Sequence, residues 1–158
     1  SNLSSARDTV LMQKLIGSSE SVIDVMDAGT TMRFLTGYFA TRGAEKIMTG
    51  APRMKERPIG LLVDALRKLG ARIDYLEKEG YPPLALKGFG KQLTNTIEMP
   101  GHVSSQYISS LMMVAPTLPN GLTIVLTGKI GSRPYIEMTA ALMRHFGAQC
   151  HFDGHAIQ

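Results

Sequence analysis

The chain contains no tryptophan and a single cysteine. One cysteine cannot close an intrachain disulfide, which fits a reducing compartment and leads us to expect a cytoplasmic protein. That residue, Cys150, lies in Gly147-Ala148-Gln149-Cys150-His151-Phe152. Gln149 to Phe152 reads as the start of a strand, so the thiol is expected to be a small buried hydrophobe rather than a nucleophile. No apolar run approaches about 18 residues, which excludes a helical membrane span. Aromatic residues are only 6% of the chain, too few to build stacking platforms for single-stranded nucleic acid. Lys and Arg number 17 against 13 Asp and Glu, a formal net charge of +4, and no run of five cations occurs. A nucleic-acid binder would carry a clustered basic stripe, so neither nucleic acid nor membrane is expected as a partner. No signal peptide is read, and Ser1-Asn2 resemble the scar of a cleaved tag.

Groups for proton transfer and metal binding are also sparse. His102, His145, His151 and His155 have no metal-ligand spacing. Asp24, Asp64, Asp74 and Glu137 fall within expected strands or helices, and none pairs with a histidine at triad-like spacing. There is no Walker loop and no dinucleotide glycine fingerprint. Neither a metal nor an organic cofactor is expected.

What is present is a core and a repeat. Hydrophobic residues make up 44% of the chain, and most of the ten Met fall in apolar runs, where they fill gaps in packing. Asp8 to Ile16 has helical spacing and is stopped by Gly17. A strand (Ser21 to Met26), a polar turn, a helix (Thr31 to Ala40) and a strand (Glu45 to Thr49) follow. A basic loop, Gly50 to Arg57, leads to a helix from Pro58 to Leu69, with Pro58 at its first position and Gly70 as its stop. Strands are expected at Ala71 to Leu76 and Leu84 to Lys87. The order then recurs: strand (Thr94 to Met99), helix (Ser104 to Val114), strand (Leu122 to Leu126), helix from Gly131-Ser132-Arg133-Pro134 to Phe146, and the strand at Gln149.

Arg57-Pro58 and Arg133-Pro134 both open helices that carry Ala-Leu nine residues in and end Gly-Ala. Such self-similarity points to duplication. The fold class is α+β, built from β-α-β-α-β-β units. One unit spans about 22–87, and a second, incomplete one about 94–158. The helix at Asp8 reads as the tail of a preceding copy.

Four loop-to-helix junctions share a character. They are Asp27-Ala28-Gly29-Thr30-Thr31, Pro52-Arg53-Met54-Lys55-Glu56-Arg57, Ser104-Ser105-Gln106 and Ser132-Arg133-Pro134-Tyr135. A helix start offers unpaired N–H donors and about half a positive charge, so it receives anions readily. Gly29 lets backbone approach a ligand, serine hydroxyls add donors without bulk, and Arg53 and Arg57 can fork onto a carboxylate or phosphate. Taken singly, each serine is an ordinary cap and each arginine an ordinary solvated cation. Their recurrence at equivalent points of a repeat is what points to a binding site for a small phosphate ester. A non-catalytic anion- or RNA-binding module on the same repeats is the alternative.

The same stretches resemble a known family. Asp27-Ala-Gly-Thr-Thr-Met-Arg-Phe34 is similar to the Asn-Ala-Gly-Thr-x-x-Arg segment of the EPSP synthases, the 3-phosphoshikimate 1-carboxyvinyltransferases. The stretch from Pro52 to Leu66, together with Val103-Ser-Ser-Gln-Tyr107 and Ser132-Arg-Pro-Tyr-Ile-Glu137, resembles the family's other signatures. The resemblance runs from about Val22 to Phe152. It implies four-stranded mixed sheets laid over buried helices. It also implies transfer of the enolpyruvyl group of phosphoenolpyruvate to the 5-hydroxyl of shikimate 3-phosphate, by addition and elimination without a cofactor, on the route to aromatic amino acids.

By matching position, Ser104, Ser105 and Ser132 are expected to hold the 3-phosphate of shikimate 3-phosphate. Gln106 is expected to touch the ring and lie near phosphoenolpyruvate, and Tyr135 to pack on the ring or its hydroxyls. Arg53 is expected to grip phosphoenolpyruvate, and Gly29 to line its pocket, where glyphosate competes in the family. Arg33 and Arg57 match motif arginines in support. Asp27 stands where Asn is usual; it is expected to cap the following helix and face away from the anions. Phe34 stands where Pro is common. The family's N-terminal Lys with its following Ser and Arg, and its second domain with the aspartate base, have no match here. The chain therefore reads as part of the N-terminal lobe, inactive alone.

Overall fold

The computed structural model describes residues 3–158; Ser1-Asn2, read above as a tag scar, lie outside the described residues. The chain runs through α1 (Arg7–Ile16), β1 (Val22–Asp24), α2 (Gly29–Thr41), β2 (Glu45–Thr49), a one-turn α3 (Pro52–Lys55), α4 (Gly60–Leu69), β3 (Ala71–Tyr75) and β4 (Leu84–Phe89). These strands form one mixed sheet in the order β1-β2-β4-β3. β1 and β2 are parallel, and β4 runs antiparallel to both its neighbours. A second series follows: β5 (Thr96–Pro100), α5 (Ser105–Val114), a 3-10 turn (Ala115–Thr117), β6 (Thr123–Thr127), α6 (Arg133–His145) and β7 (Ala156–Ile157). Its sheet has the order β5-β6-β7, parallel and then antiparallel.

The expected α+β class is the observed one, and the β-α-β-α-β-β order is complete in the first series, while the second sheet has three of the four expected strands. The strand expected at Gln149 is reduced to a bridge between Phe152 and Ile157. His151 and Gln158 exchange two backbone hydrogen bonds of 2.7 and 2.9 Å. This segment takes the position beside β7 that β3 takes beside β4. Cys150 is buried there, as expected, and burial pushes its thiol pKa up.

Two helices show why these residues fold this way. In α4, Leu62, Val63, Leu66 and Leu69 are buried while Asp64 and Lys68 are exposed, the spacing of an amphipathic helix on a sheet. Gly70, at φ 118°, ends it in the left-handed cap expected of glycine. In α2 nine of thirteen residues are buried and none is exposed, because it packs against α1, α4, α5 and the first sheet. The approach of α2 to α5 depends on Gly37, where an added Cβ would lie 2.4 Å from Ser110 Oγ. Ser110 Oγ in turn donates to the Arg33 carbonyl at 2.9 Å. Ile23, Leu35 and Leu66 of the first series and Ile97, Ile108 and Leu126 of the second belong to one core.

Two boundaries differ from expectation. The stretch read as a basic loop contains α3, which starts at Pro52. Pro58 does not open α4: Ile59 is its N-cap and the helix begins at Gly60. No helix among the described residues is long and apolar enough to cross a membrane.

Candidate functional site

The parallel strands β1 and β2 send their C-terminal ends into the first two junctions. Val25 N–H donates to the Thr49 carbonyl and Ala51 N–H to the Met26 carbonyl, at 2.9 and 2.8 Å, so the two loops run side by side. Met26 holds a positive φ of 55°, and the Asp24 carboxylate accepts its N–H at 2.8 Å, fixing a turn few L-residues adopt. Gly29 then opens α2 in a buried position. A Cβ added there would lie 2.2 Å from Arg57 Nη1 and 2.7 Å from Arg33 Nη1. Two guanidinium groups therefore pass over Gly29, where any side chain would displace them.

Arg33 is 5% exposed. It donates to the Gly29 carbonyl at 2.9 Å and the Pro58 carbonyl at 3.4 Å. Its Nε has no partner among the described residues. Burial first, and then the charge of Arg57, lower its pKa. Arg53 and Arg57 are exposed, and with Met54 and Asp27 they line a pocket of about 420 Å³. Met54 is buried and anchors α3 beneath them. Lys55 is engaged elsewhere, 2.6 Å from Glu77.

Asp27 does not do what its sequence position implies. Ala28 is the N-cap of α2, and no side chain caps it. Asp27 lines the arginine pocket, and its carboxylate accepts from Arg7 Nη2 at 2.6 Å.

The second sheet supplies the other two junctions. Ser104 occupies the N-cap position of α5 and Ser132 that of α6, yet neither hydroxyl makes a capping bond. The ordinary capping role open to each serine is therefore not the one they play. Ser104 is exposed, and Ser105, Gln106 and Ser132 are half-buried. Gln106 Nε2 donates to Thr30 Oγ1 at 2.9 Å, and Tyr107 Oη donates to the Pro58 carbonyl at 2.5 Å. These bonds tie the start of α5 to the two junctions of the first sheet. Gly101 N–H donates to the Thr127 carbonyl at 2.7 Å and Gly131 N–H to the Gly101 carbonyl at 2.9 Å, holding the fourth junction beside the third. Tyr135 is 60% exposed. With Thr30, Ser105 and Gln106 it lines a groove of about 540 Å³ that continues along Met138 and Leu142.

All four sequence-predicted junctions therefore meet at one end of the molecule. Thr30, expected only as a member of its junction, joins the site through its side chain. Its hydroxyl matters only because Gln106, 76 residues away, reaches it. Among the described residues no three His, Cys, Asp or Glu side chains are placed to share a metal ion.

The family profile described as EPSP synthase (3-phosphoshikimate 1-carboxyvinyltransferase) matches residues 2–157. The chain belongs to the EPSP synthase family. It is 51% identical over 149 residues to the 3-phosphoshikimate 1-carboxyvinyltransferase of Bacteroides fragilis, covering 94% of this chain and 36% of that protein. To the corresponding enzyme of Sodalis glossinidius it is 49% identical over 131 residues, 83% of this chain and 30% of that one. The solved EPSP synthase of Acinetobacter baumannii superposes with a TM-score of 0.74 at 24% identity, over 89% of this chain and 30% of that chain. This last likeness supports the fold alone. The chain thus spans roughly a third of the length of the EPSP synthases it matches.

Proposed function

We propose that this chain is the substrate-phosphate half of an enzyme that transfers the enolpyruvyl group of phosphoenolpyruvate to the 5-hydroxyl of shikimate 3-phosphate. The observation that carries the reading is the Gln106–Thr30 bond, because it sets the small, donor-rich helix starts beside the arginine pocket. Ser104, Ser105 and Ser132, with the free N–H groups of α5 and α6, receive the 3-phosphate of shikimate 3-phosphate. Holding Nε2 on Thr30 leaves the Gln106 amide oxygen to accept from a ring hydroxyl. Tyr135 covers the ring. Arg53 and Arg57 grip phosphoenolpyruvate over Gly29, where no side chain obstructs it.

The two sheets are read as two units, about 22–87 and 94–158, of the N-terminal lobe. A proton for addition to the enolpyruvyl double bond has no evident donor among these residues. The base and further cations would come from a second domain of the same protein, whose closure excludes water and completes the site. The chain alone is accordingly inactive, and cytoplasmic residence belongs to the same reading.

Titration of the chain with shikimate 3-phosphate, in parallel with a short RNA, tests this. Saturable binding of the sugar phosphate is expected. Ser104→Ala with Ser105→Ala should weaken it by about 1–3 kcal/mol. Tight, steeply salt-dependent RNA binding without sugar-phosphate binding would overturn the reading in favour of a nucleic-acid module.

A further inference from the structure

The arginine pocket contains a negative charge as well as two positive ones. Asp27 shares the 420 Å³ pocket with Arg53 and Arg57, where an unpaired carboxylate would oppose an incoming anion. Its bonded partner lies outside that pocket: Arg7, the first residue of α1, reaches across 20 positions of sequence to it at 2.6 Å. Both side chains are more than half exposed, so the pair contributes little to holding the fold together. A surface pair of that kind acts mainly on the potential around it.

We propose that Arg7 is a positioning residue for the anion pocket: it neutralises Asp27 and turns the carboxylate away from the space between Arg53 and Arg57. The inference rests on the reading of that pocket as an anion site, and it assigns α1 a part in ligand affinity.

Asp27→Asn removes the repulsion and should tighten anion binding by roughly 3- to 10-fold, the effect of one like charge at pocket distance near a surface. Arg7→Ala leaves Asp27 unpaired and should weaken binding by roughly 3-fold. In the Asp27→Asn background, Arg7→Ala should cost clearly less than in the parent, because Arg7 then has no carboxylate to hold aside and only its own distant charge is lost. Arg7→Lys, which keeps the charge, should restore most of the affinity. All effects should shrink when ionic strength is raised to about 1 M.

The experiment is an amide-shift NMR titration of the chain with inorganic phosphate and with phosphoenolpyruvate. It covers the parent, the two single variants, the double variant, Arg7→Lys and an Arg53→Ala control. Coupling between positions 7 and 27 that is lost in high salt supports the proposal. Equal loss from Arg7→Ala in both backgrounds overturns it, since Arg7 would then act on the ligand or the fold directly. No loss in either background also overturns it. Anion binding that depends on Arg53 but shows no coupling leaves the anion-site reading standing and removes only this inference. Phosphate coupling without any shikimate 3-phosphate binding removes the proposed enzyme and keeps the inference. No anion binding at all removes both.

Discussion

At Gly29 a single methyl group separates two outcomes. An alanine Cβ would press on Arg57 Nη1, an exposed side chain that can swing aside, and on Arg33 Nη1, which is buried and bonded to the Gly29 carbonyl. Alanine is the better helix former, by about 1 kcal/mol, but displacing buried Arg33 from its carbonyl partners outweighs that gain, so Gly29→Ala should lower stability by about 1–2 kcal/mol. It should weaken phosphoenolpyruvate binding about tenfold, the worth of one charge-assisted hydrogen bond. A melting curve paired with a binding isotherm checks both halves. Tyr75 offers a test away from the site. Its phenol pKa is pushed up to about 12, first by burial and then by the charges of Asp64 and Glu79. The unfolded chain ionises near pH 10 while the folded one holds its proton. Stability should be unaffected by this group below pH 10 and fall as pH rises from 10 to about 12. Tyr75→Phe should flatten that limb of an alkaline denaturation curve.

At the level of elements, the crossing of α2 and α5 is the tightest constraint. Gly37→Ala would force its Cβ onto Ser110 Oγ and break the bond from that hydroxyl to the Arg33 carbonyl. We expect a loss of about 1–3 kcal/mol, read as a lower urea midpoint at unchanged slope. Elements with long periodic patterns could be read from the sequence alone: α1, α4 and both parallel strand pairs lie within a few residues of expectation. The misses have local causes. α3 has four residues, too few to display a period. Pro58 looks like a helix opener, but its carbonyl is committed to Arg33 and Tyr107, and the turn starts after it. Gln149 to Phe152 has strand-like letters but pairs only at its end. In the site, the glycine, serines and arginines were visible because each has a local signature. Thr30 and Arg7 were not, because their partners are far away in sequence.

For the whole molecule, the groove between α5 and α6 is the least finished surface. Tyr135, Met138, Leu142 and Phe146 are each more than half exposed, Phe146 by 84%. Contiguous apolar area of this kind drives association. The chain should show a concentration-dependent increase in mass by analytical ultracentrifugation, and Leu142→Ser with Phe146→Ser should return it toward monomer. The seam bonds Gln106–Thr30 and Tyr107–Pro58 carry a last implication. Each half of the molecule owns two of the four walls around the opening, so a guest lodged there works as a splint. A chain nicked near Gly90 should come apart more slowly with a sugar phosphate in place than without it.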